Sequence, residues 1–148
     1  MKTRSRVAVM HGPNLDQLGG RDPEQYGDLD LSGLERQIKA WGREMGIETI
    51  TFQTNHEGEF IEWIHDAYDN VDALIVNPGA WSHYSWAIRD ALEFSGLPAV
   101  EVHLSDISKR EEFRKVSVFD GLVLAKIYGK KEQGYLEALK VIDEHLPE

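Results

Sequence analysis

Tyr26 and Arg21 lie five residues apart in a polar, glycine-containing stretch that runs from residue 11 to residue 31. A phenol ionises near pH 10, so a tyrosine that acts as a base at neutral pH needs a shift of roughly three units, or about 4 kcal/mol. A nearby guanidinium group is a physical source of that shift because it stabilises the phenolate. The alternative interpretation of this spacing is a surface tyrosine beside a solvated arginine.

Glu101 and His103 form a second candidate pair at the end of a predicted strand. Residues two apart on a strand point to the same face of a sheet. A carboxylate in that position can orient an imidazole or help it to hold a proton. The alternative is a partly buried histidine with a purely structural hydrogen bond.

Other kinds of chemistry find little support in the sequence. The chain has no cysteine, which excludes disulfides, thiol nucleophiles and cysteine-bound zinc. Neither a P-loop nor a GxGxxG pattern is present, and His56 lacks a second histidine at HExxH spacing. Ser82 and Ser85 lack the context of a nucleophile elbow. We therefore expect an acid–base enzyme without a cofactor or a metal.

The elements that must position these residues alternate between short β-branched runs and longer helical patterns. Strands are predicted at residues 7–10, 48–53, 73–76, 99–103 and 122–127. Helices are predicted to about residue 45 and over residues 57–68, 83–95 and 132–145. For the first helix, Ser32 is the predicted N-cap, with Glu35 completing a capping box.

Five strands that alternate with helices predict a parallel sheet covered on both faces. The expected fold is flavodoxin-like, a three-layer α/β/α arrangement with strand order 2-1-3-4-5. Ligands of such sheets bind beyond the carboxyl ends of the strands. Polar clusters follow four of the strands there, at residues 11–14, 53–58, 77–80 and 101–105. The stretch from 11 to 31 is long for a loop, and we expect an active-site lid at about residues 18–28.

Composition narrows the class of protein. A chain of 148 residues is the size of one domain. Its formal charge of −10 disfavours nucleic acid as a partner, although a small anionic substrate remains compatible with local arginines. The first apolar run has only four residues, 7–10, and no later run approaches the roughly 20 that span a bilayer. We expect one cytoplasmic domain over residues 1–148 that does not bind a membrane.

Four sequence blocks resemble those of the type II 3-dehydroquinate dehydratases. The first is H-G-P-N-L-x-x-L-G-x-R-x-P-x-x-Y-G at residues 11–27, and the second is Q-T-N-H-E-G at 53–58. The third combines N-P-G-A at 77–80 and His83 with A-I-R-D-A-L at 87–92. The fourth is E-V-H-L-S at 101–105, followed by R-E-E-F-R at 110–114. Blocks in this order and at this spacing are highly specific.

The resemblance implies a reaction in which 3-dehydroquinate becomes 3-dehydroshikimate by anti elimination through an enolate. The step serves shikimate biosynthesis as well as quinate breakdown. By matching position, Tyr26 would remove the C2 proton and Arg21 would stabilise its phenolate. Asn14 would help to stabilise the enolate, and His103, oriented by Glu101, would protonate the departing C1 hydroxyl.

The resemblance also implies a set of substrate contacts and an assembly. Asn77, His83 and Arg114 would hold the substrate hydroxyls, while Leu104 and Ser105 would hold its carboxylate. Asp90 would reach the active site of a neighbouring subunit. The family's usual assembly predicts a homododecamer built from trimers.

Some residues depart from the family pattern. Trp81, Tyr84 and Trp86 are bulkier than the usual residues around His83, and Asp106 stands where asparagine is usual. None of these departures removes a proposed catalytic group. A separate alternative is a catalytically inactive homologue that binds a related cyclic polyol acid as a sensor or scaffold. A second alternative, a flavodoxin-like signalling domain, would require an acidic cluster after the first strand, where residues 11–14 supply none.

Overall fold

Five parallel strands form a sheet in the computed structural model, which describes residues 5–147. The strands are β1 (Ser5–His11), β2 (Ile47–Gln53), β3 (Ala73–Asn77), β4 (Ala99–Val102) and β5 (Ala125–Ile127). Their order is β2-β1-β3-β4-β5, which confirms the predicted fold. The predicted start of β5 is wrong, because residues 122–124 form a turn in which the amides of Leu122 and Val123 donate to the carbonyl of Phe119.

Both faces of the sheet are buried, and this burial explains the unbroken apolar run in the sequence of β1. Val7 and Val9 pack into one apolar core, whereas Ala8 and Met10 pack into the core on the opposite face. A parallel strand covered on both faces needs apolar side chains at every position. The polar residues are thereby confined to the strand ends.

The helices that cover the sheet are α1 (Pro23–Tyr26), α2 (Leu31–Glu44), α3 (Glu57–Ala67), α4 (Trp86–Ser95) and α5 (Gln133–His145). The predicted bounds of α3 and α5 agree to within one residue. Tyr68 lies exposed at the C-terminal end of α3. No helix in residues 5–147 has both the length and the apolar character that crossing a membrane requires.

The predicted cap of α2 is wrong. Asp30, not Ser32, occupies the N-cap, and its Oδ1 accepts a hydrogen bond of 2.7 Å from the amide of Gly33. An aspartate caps a helix as well as a serine does. Of the two candidates, Asp30 comes earlier in the chain, and it takes the N-cap position. Leu31 then begins the helix and packs against the apolar core.

The predicted start of α4 is also wrong. His83 belongs to a 3-10 helix, Gly79–His83, and the α-helix begins only at Trp86. The hydroxyl of Ser85 accepts from the amide of Ile88 at 3.2 Å and so marks the true N-cap. His83 therefore lies in the connection that follows β3, at the carboxyl end of the sheet.

The stretch from 11 to 31 contains more regular structure than its sequence predicts. Leu15–Gln17 forms a 3-10 helix, and Pro23–Tyr26 forms the single turn of α1. Asp22 caps α1 by accepting from the amide of Glu24 at 3.0 Å. Tyr26 is consequently the last residue of a short capped helix.

Candidate active site

A cleft with an empty volume of about 610 Å³ opens beyond the carboxyl ends of the central strands. Nine of the predicted site residues line it: Asn14, Arg21, Tyr26, Asn77, His83, His103, Leu104, Ser105 and Arg114. Glu101 lies behind His103, to which it is hydrogen-bonded. Asp90 is exposed on α4 and does not line this cleft.

Two guanidinium groups surround Tyr26. The guanidinium carbon of Arg21 lies 3.7 Å from the centroid of the ring, so this side chain covers the ring face. Nη1 of Arg110 donates to the phenolic oxygen at 2.6 Å and lies 3.3 Å from the hydroxyl of Ser105. Two positive charges therefore lie against one phenol, and the contact with its oxygen comes from Arg110.

Arg110 is a site residue that our sequence reasoning did not single out. It lies 84 residues from Tyr26 in the chain, within a polar stretch in which charged side chains are common. No local spacing connects it to the tyrosine. Its place at the head of the R-E-E-F-R block was the one available signal.

His103 is paired with a fully buried carboxylate. Its Nε2 lies 2.5 Å from Oε2 of Glu101, and both residues are buried at the end of β4. An ionised carboxylate can only accept, so Nε2 carries the hydrogen and the ring is held in one orientation. This leaves Nδ1 as the nitrogen that can exchange a proton with a ligand.

His83 packs beside His103. The two rings are nearly parallel, at 14° and 6.3 Å between centroids. Nδ1 of His83 lies 2.6 Å from the carbonyl oxygen of Val116 and therefore carries a hydrogen, which leaves Nε2 free to accept. Burial lowers the pKa of His83 below its ordinary value, and the positive charges of His103 and Arg114 lower it further. His83 is thus a neutral polar group at neutral pH.

Both polar atoms of the Asn77 side-chain amide make hydrogen bonds. Its Nδ2 donates to the buried hydroxyl of Tyr135 at 3.1 Å, and its Oδ1 accepts from the amide of Gly79 at 3.2 Å. Burial raises the pKa of Tyr135, which remains a neutral phenol. The second hydrogen of Nδ2 is the one available to a ligand in the cleft.

Asn14 adopts a left-handed conformation, with a φ of 70°, directly after the end of β1. Its amide donates to Oδ1 of Asn55 at 2.9 Å, which fixes this connection to the one after β2. Gly12 lies so close to the connection after β3 that an added Cβ would come within 2.9 Å of the backbone of Pro78. The close approach brings Asn14 and Asn77 into one cleft.

Backbone hydrogen bonds hold the loop that contains Leu104 and Ser105. Their carbonyls accept from the amides of Lys131 and Gly129 at 3.2 and 3.0 Å. Asp106 turns its carboxylate to Ser108, whose amide donates to Oδ1 at 3.1 Å and whose hydroxyl donates to the same oxygen. These hydrogen bonds lower the pKa of Asp106. They also satisfy the negative charge that this residue brings beside the loop.

A metal ion would find no group of three or more histidine, aspartate or glutamate side chains positioned to hold it within residues 5–147. The cationic side chains at the cleft are Arg21, Arg110 and Arg114. Three guanidinium groups around a cleft suit an anionic ligand, because arginine binds carboxylates in a bidentate manner.

The fold and the cleft define the class of protein as a flavodoxin-like α/β chain. Its cleft holds a tyrosine contacted by arginine and a histidine paired with a buried glutamate. The family model described as dehydroquinase class II matches residues 5–143. The chain belongs to that family.

Relatives and solved structures agree with this assignment. The chain is 49% identical over 138 residues to the 3-dehydroquinate dehydratase of Halothermothrix orenii, with 93% of each sequence covered. The crystal structure of type II dehydroquinase from Propionibacterium acnes has a TM-score of 0.90 at 40% identity, covering 95% of this chain and 97% of that one. The type II dehydroquinase from Butyrivibrio crossotus has a TM-score of 0.91 at 39% identity, with 95% and 98% covered.

Proposed function

We propose that this chain converts 3-dehydroquinate into 3-dehydroshikimate and water, by an anti elimination that passes through an enolate. The observation that carries the proposal is the joint presence in one cleft of a phenol contacted by two guanidinium groups and an imidazole paired with a buried carboxylate. One group suits the removal of a carbon-bound proton, and the other suits the protonation of a leaving hydroxyl.

Tyr26 is the base in this mechanism and takes the proton from C2 of the substrate. The hydrogen bond of 2.6 Å from Arg110 and the guanidinium of Arg21 over the ring stabilise the phenolate. The electrons of the broken C–H bond move into the neighbouring carbonyl and form the enolate. Asn14 helps to stabilise the developing negative charge, an oxyanion-type contribution worth about 3 kcal/mol elsewhere.

His103 is the acid. Its Nδ1 hydrogen passes to the C1 hydroxyl, which leaves as water while the enolate collapses to the conjugated enone. The buried carboxylate of Glu101 holds Nε2 at 2.5 Å and stabilises the imidazolium form before the transfer. Before the next cycle Tyr26 releases the proton that it removed to solvent and His103 takes up a proton from solvent, so atoms and charge balance.

The remaining predicted residues bind the substrate. Neutral His83, the amide of Asn77 and the guanidinium of Arg114 hold its hydroxyls, and the supported loop of Leu104 and Ser105 holds its carboxylate. The segment at about residues 18–28 acts as the lid of this one domain, since it carries both Arg21 and Tyr26 to the cleft. Closure of the lid excludes water from the enolate.

The assembly that we propose is a homododecamer of trimers, in which Asp90 of one subunit reaches the cleft of the next. The exposure of Asp90 on the outer side of α4 supports this part of the proposal. Light scattering on the purified protein measures the assembly directly. A monomer with full activity would remove Asp90 from the site.

The test of the function is the addition of 3-dehydroquinate to purified protein, followed by the ultraviolet absorbance of the enone product. We expect turnover without added metal or nucleotide and without sensitivity to a chelator. Tyr26→Phe should lower kcat by at least about 100-fold, the usual range for losing a general base. Tyr68→Phe, which removes an exposed hydroxyl at the end of α3, is the matched control and should retain the rate.

Two results would contradict the proposal. Wild-type protein that binds the substrate without turning it over is the behaviour of the inactive sensor or scaffold. Full activity of Tyr26→Phe would instead leave the reaction in place and remove Tyr26 as its base.

A further inference from the structure

Ser117 is a buried residue behind the candidate acid, and it does not line the cleft. Its hydroxyl lies 2.7 Å from Oε1 of Glu101, the carboxylate oxygen that does not contact His103. The same hydroxyl oxygen accepts a hydrogen bond of 3.1 Å from the amide of Phe119. The side chain is therefore held between a backbone donor and a buried carboxylate.

The direction of the hydrogen bond to Glu101 follows from these two contacts. A backbone amide can only donate, so the amide of Phe119 uses a lone pair of the serine oxygen. The hydroxyl hydrogen remains free and points to Glu101, which accepts it. Each carboxylate oxygen thus has one donor, Ser117 for Oε1 and the imidazole of His103 for Oε2.

We propose that Ser117 is a positioning residue for the acid, acting through Glu101. A buried carboxylate without full hydrogen bonding is costly as an anion, and it rotates or takes up a proton to reduce that cost. The serine satisfies one oxygen of Glu101 and keeps the other directed at Nε2 of His103. The inference rests on the proposed function, in which His103 presents Nδ1 to the departing hydroxyl.

The consequence for the reaction is confined to one step. Without Ser117, the carboxylate is free to turn away from Nε2, and His103 loses the contact that fixes its orientation and its proton. Breakage of the C–O bond then becomes slower, while the groups that hold the substrate are unchanged. The loss should therefore appear in kcat and leave KM nearly constant.

The experiment compares three variants of the full-length protein in the 3-dehydroquinate assay. Ser117→Ala should lower kcat by about tenfold or more, because hydrogen bonds to charged groups are among the stronger ones. Ser117→Thr retains the hydroxyl and should recover most of the rate. Ser95→Ala is the matched control, since it removes a buried serine hydroxyl that contacts the carbonyl of Leu92 at the end of α4.

An isotope effect separates positioning of the acid from general damage. With substrate deuterated at C2, slower C–O breakage allows the enolate to return its proton, so the deuterium effect on kcat should fall in Ser117→Ala. A merely structural role would lower kcat without changing the isotope effect. Should the alanine variant fail to fold, Ser117→Cys keeps the volume with a weaker donor and carries the same expectation.

The outcomes distinguish the inference from the function. A wild-type protein without turnover would refute the proposed function, and the role of Ser117 with it. An active wild type with an unaffected Ser117→Ala would overturn this inference alone. So would a threonine variant that is no faster than the alanine variant, or a loss that appears in KM instead of kcat.

Discussion

Replacement of Arg110 by methionine tests the proposal that this arginine prepares the phenol of Tyr26 to act as the base. The change removes a guanidinium whose Nη1 lies 2.6 Å from the phenolic oxygen, in a partly buried contact. A hydrogen bond to a charged partner is worth roughly 1.5–3 kcal/mol. The phenolate loses that stabilisation, which corresponds to a fall of about 10- to 150-fold in kcat/KM at pH 7.

Initial rates of enone formation at pH 7, over a range of 3-dehydroquinate concentrations, measure the fall in kcat/KM.

Two controls make the result specific. Arg36→Met removes an arginine of the same charge from the exposed side of α2 and should leave the rate unchanged. Arg110→Lys keeps the charge without the planar fork and should lose only part of the rate. A methionine variant with the wild-type rate would show that the contact with the oxygen does not prepare the proposed base.

Three further predictions concern stability. Asp30→Ala removes the cap of α2 and should lower the free energy of unfolding by about 0.5–2 kcal/mol in urea titrations, whereas Ser32→Ala should change it by less than about 0.5 kcal/mol. Burial lowers the pKa of His11 to about 4, so the unfolded chain takes up a proton between pH 6.5 and 4 that the folded protein does not. Stability should therefore fall as the pH is lowered through that window, by about 3 kcal/mol in all, and His11→Asn should remove this dependence; a slope unchanged in the variant would refute it. Gly12→Ala forces a Cβ to within 2.9 Å of the backbone of Pro78 and should lower the melting temperature together with kcat/KM, because the two connections separate.

The sheet could be predicted because the burial of each strand is visible in its local sequence. A strand buried on both faces has to be apolar at each position, and β1 and β3 carry such runs, bounded by polar residues. The order of the strands follows from general rules of handedness and connection. The carboxyl-end clusters then fall at one edge of the sheet, and the cleft could be anticipated from the sequence.

Competition between similar local signals accounts for the errors at the helix ends. Asp30 and Ser32 are both good caps, and the sequence does not say which amide group each one can reach. Similarly, Ser85 interrupts a run that has helical periodicity on both sides, so His83 was predicted on the helix and not in the 3-10 turn. A difference of two or three residues decides where such a side chain points.

The contacts at Arg110 and Ser117 could not be predicted because they join distant parts of the chain. Ser117 lies 16 residues from Glu101, and Arg110 lies 84 residues from Tyr26. Hydrogen bonds of this kind form when distant segments of the chain pack together, and no periodicity in the sequence predicts them. The resemblance to the family identified the block around Arg110, but only the folded chain connects that block to the phenol of Tyr26.

The separation of Tyr26 from Arg110 has a consequence for inhibition. The phenol sits on the one-turn helix α1, and the cation at its oxygen belongs to a different loop, so the two meet only where these segments come into contact. A small molecule that binds between them would separate the guanidinium from the phenolic oxygen. Such a compound should inhibit the proposed reaction without resembling its substrate.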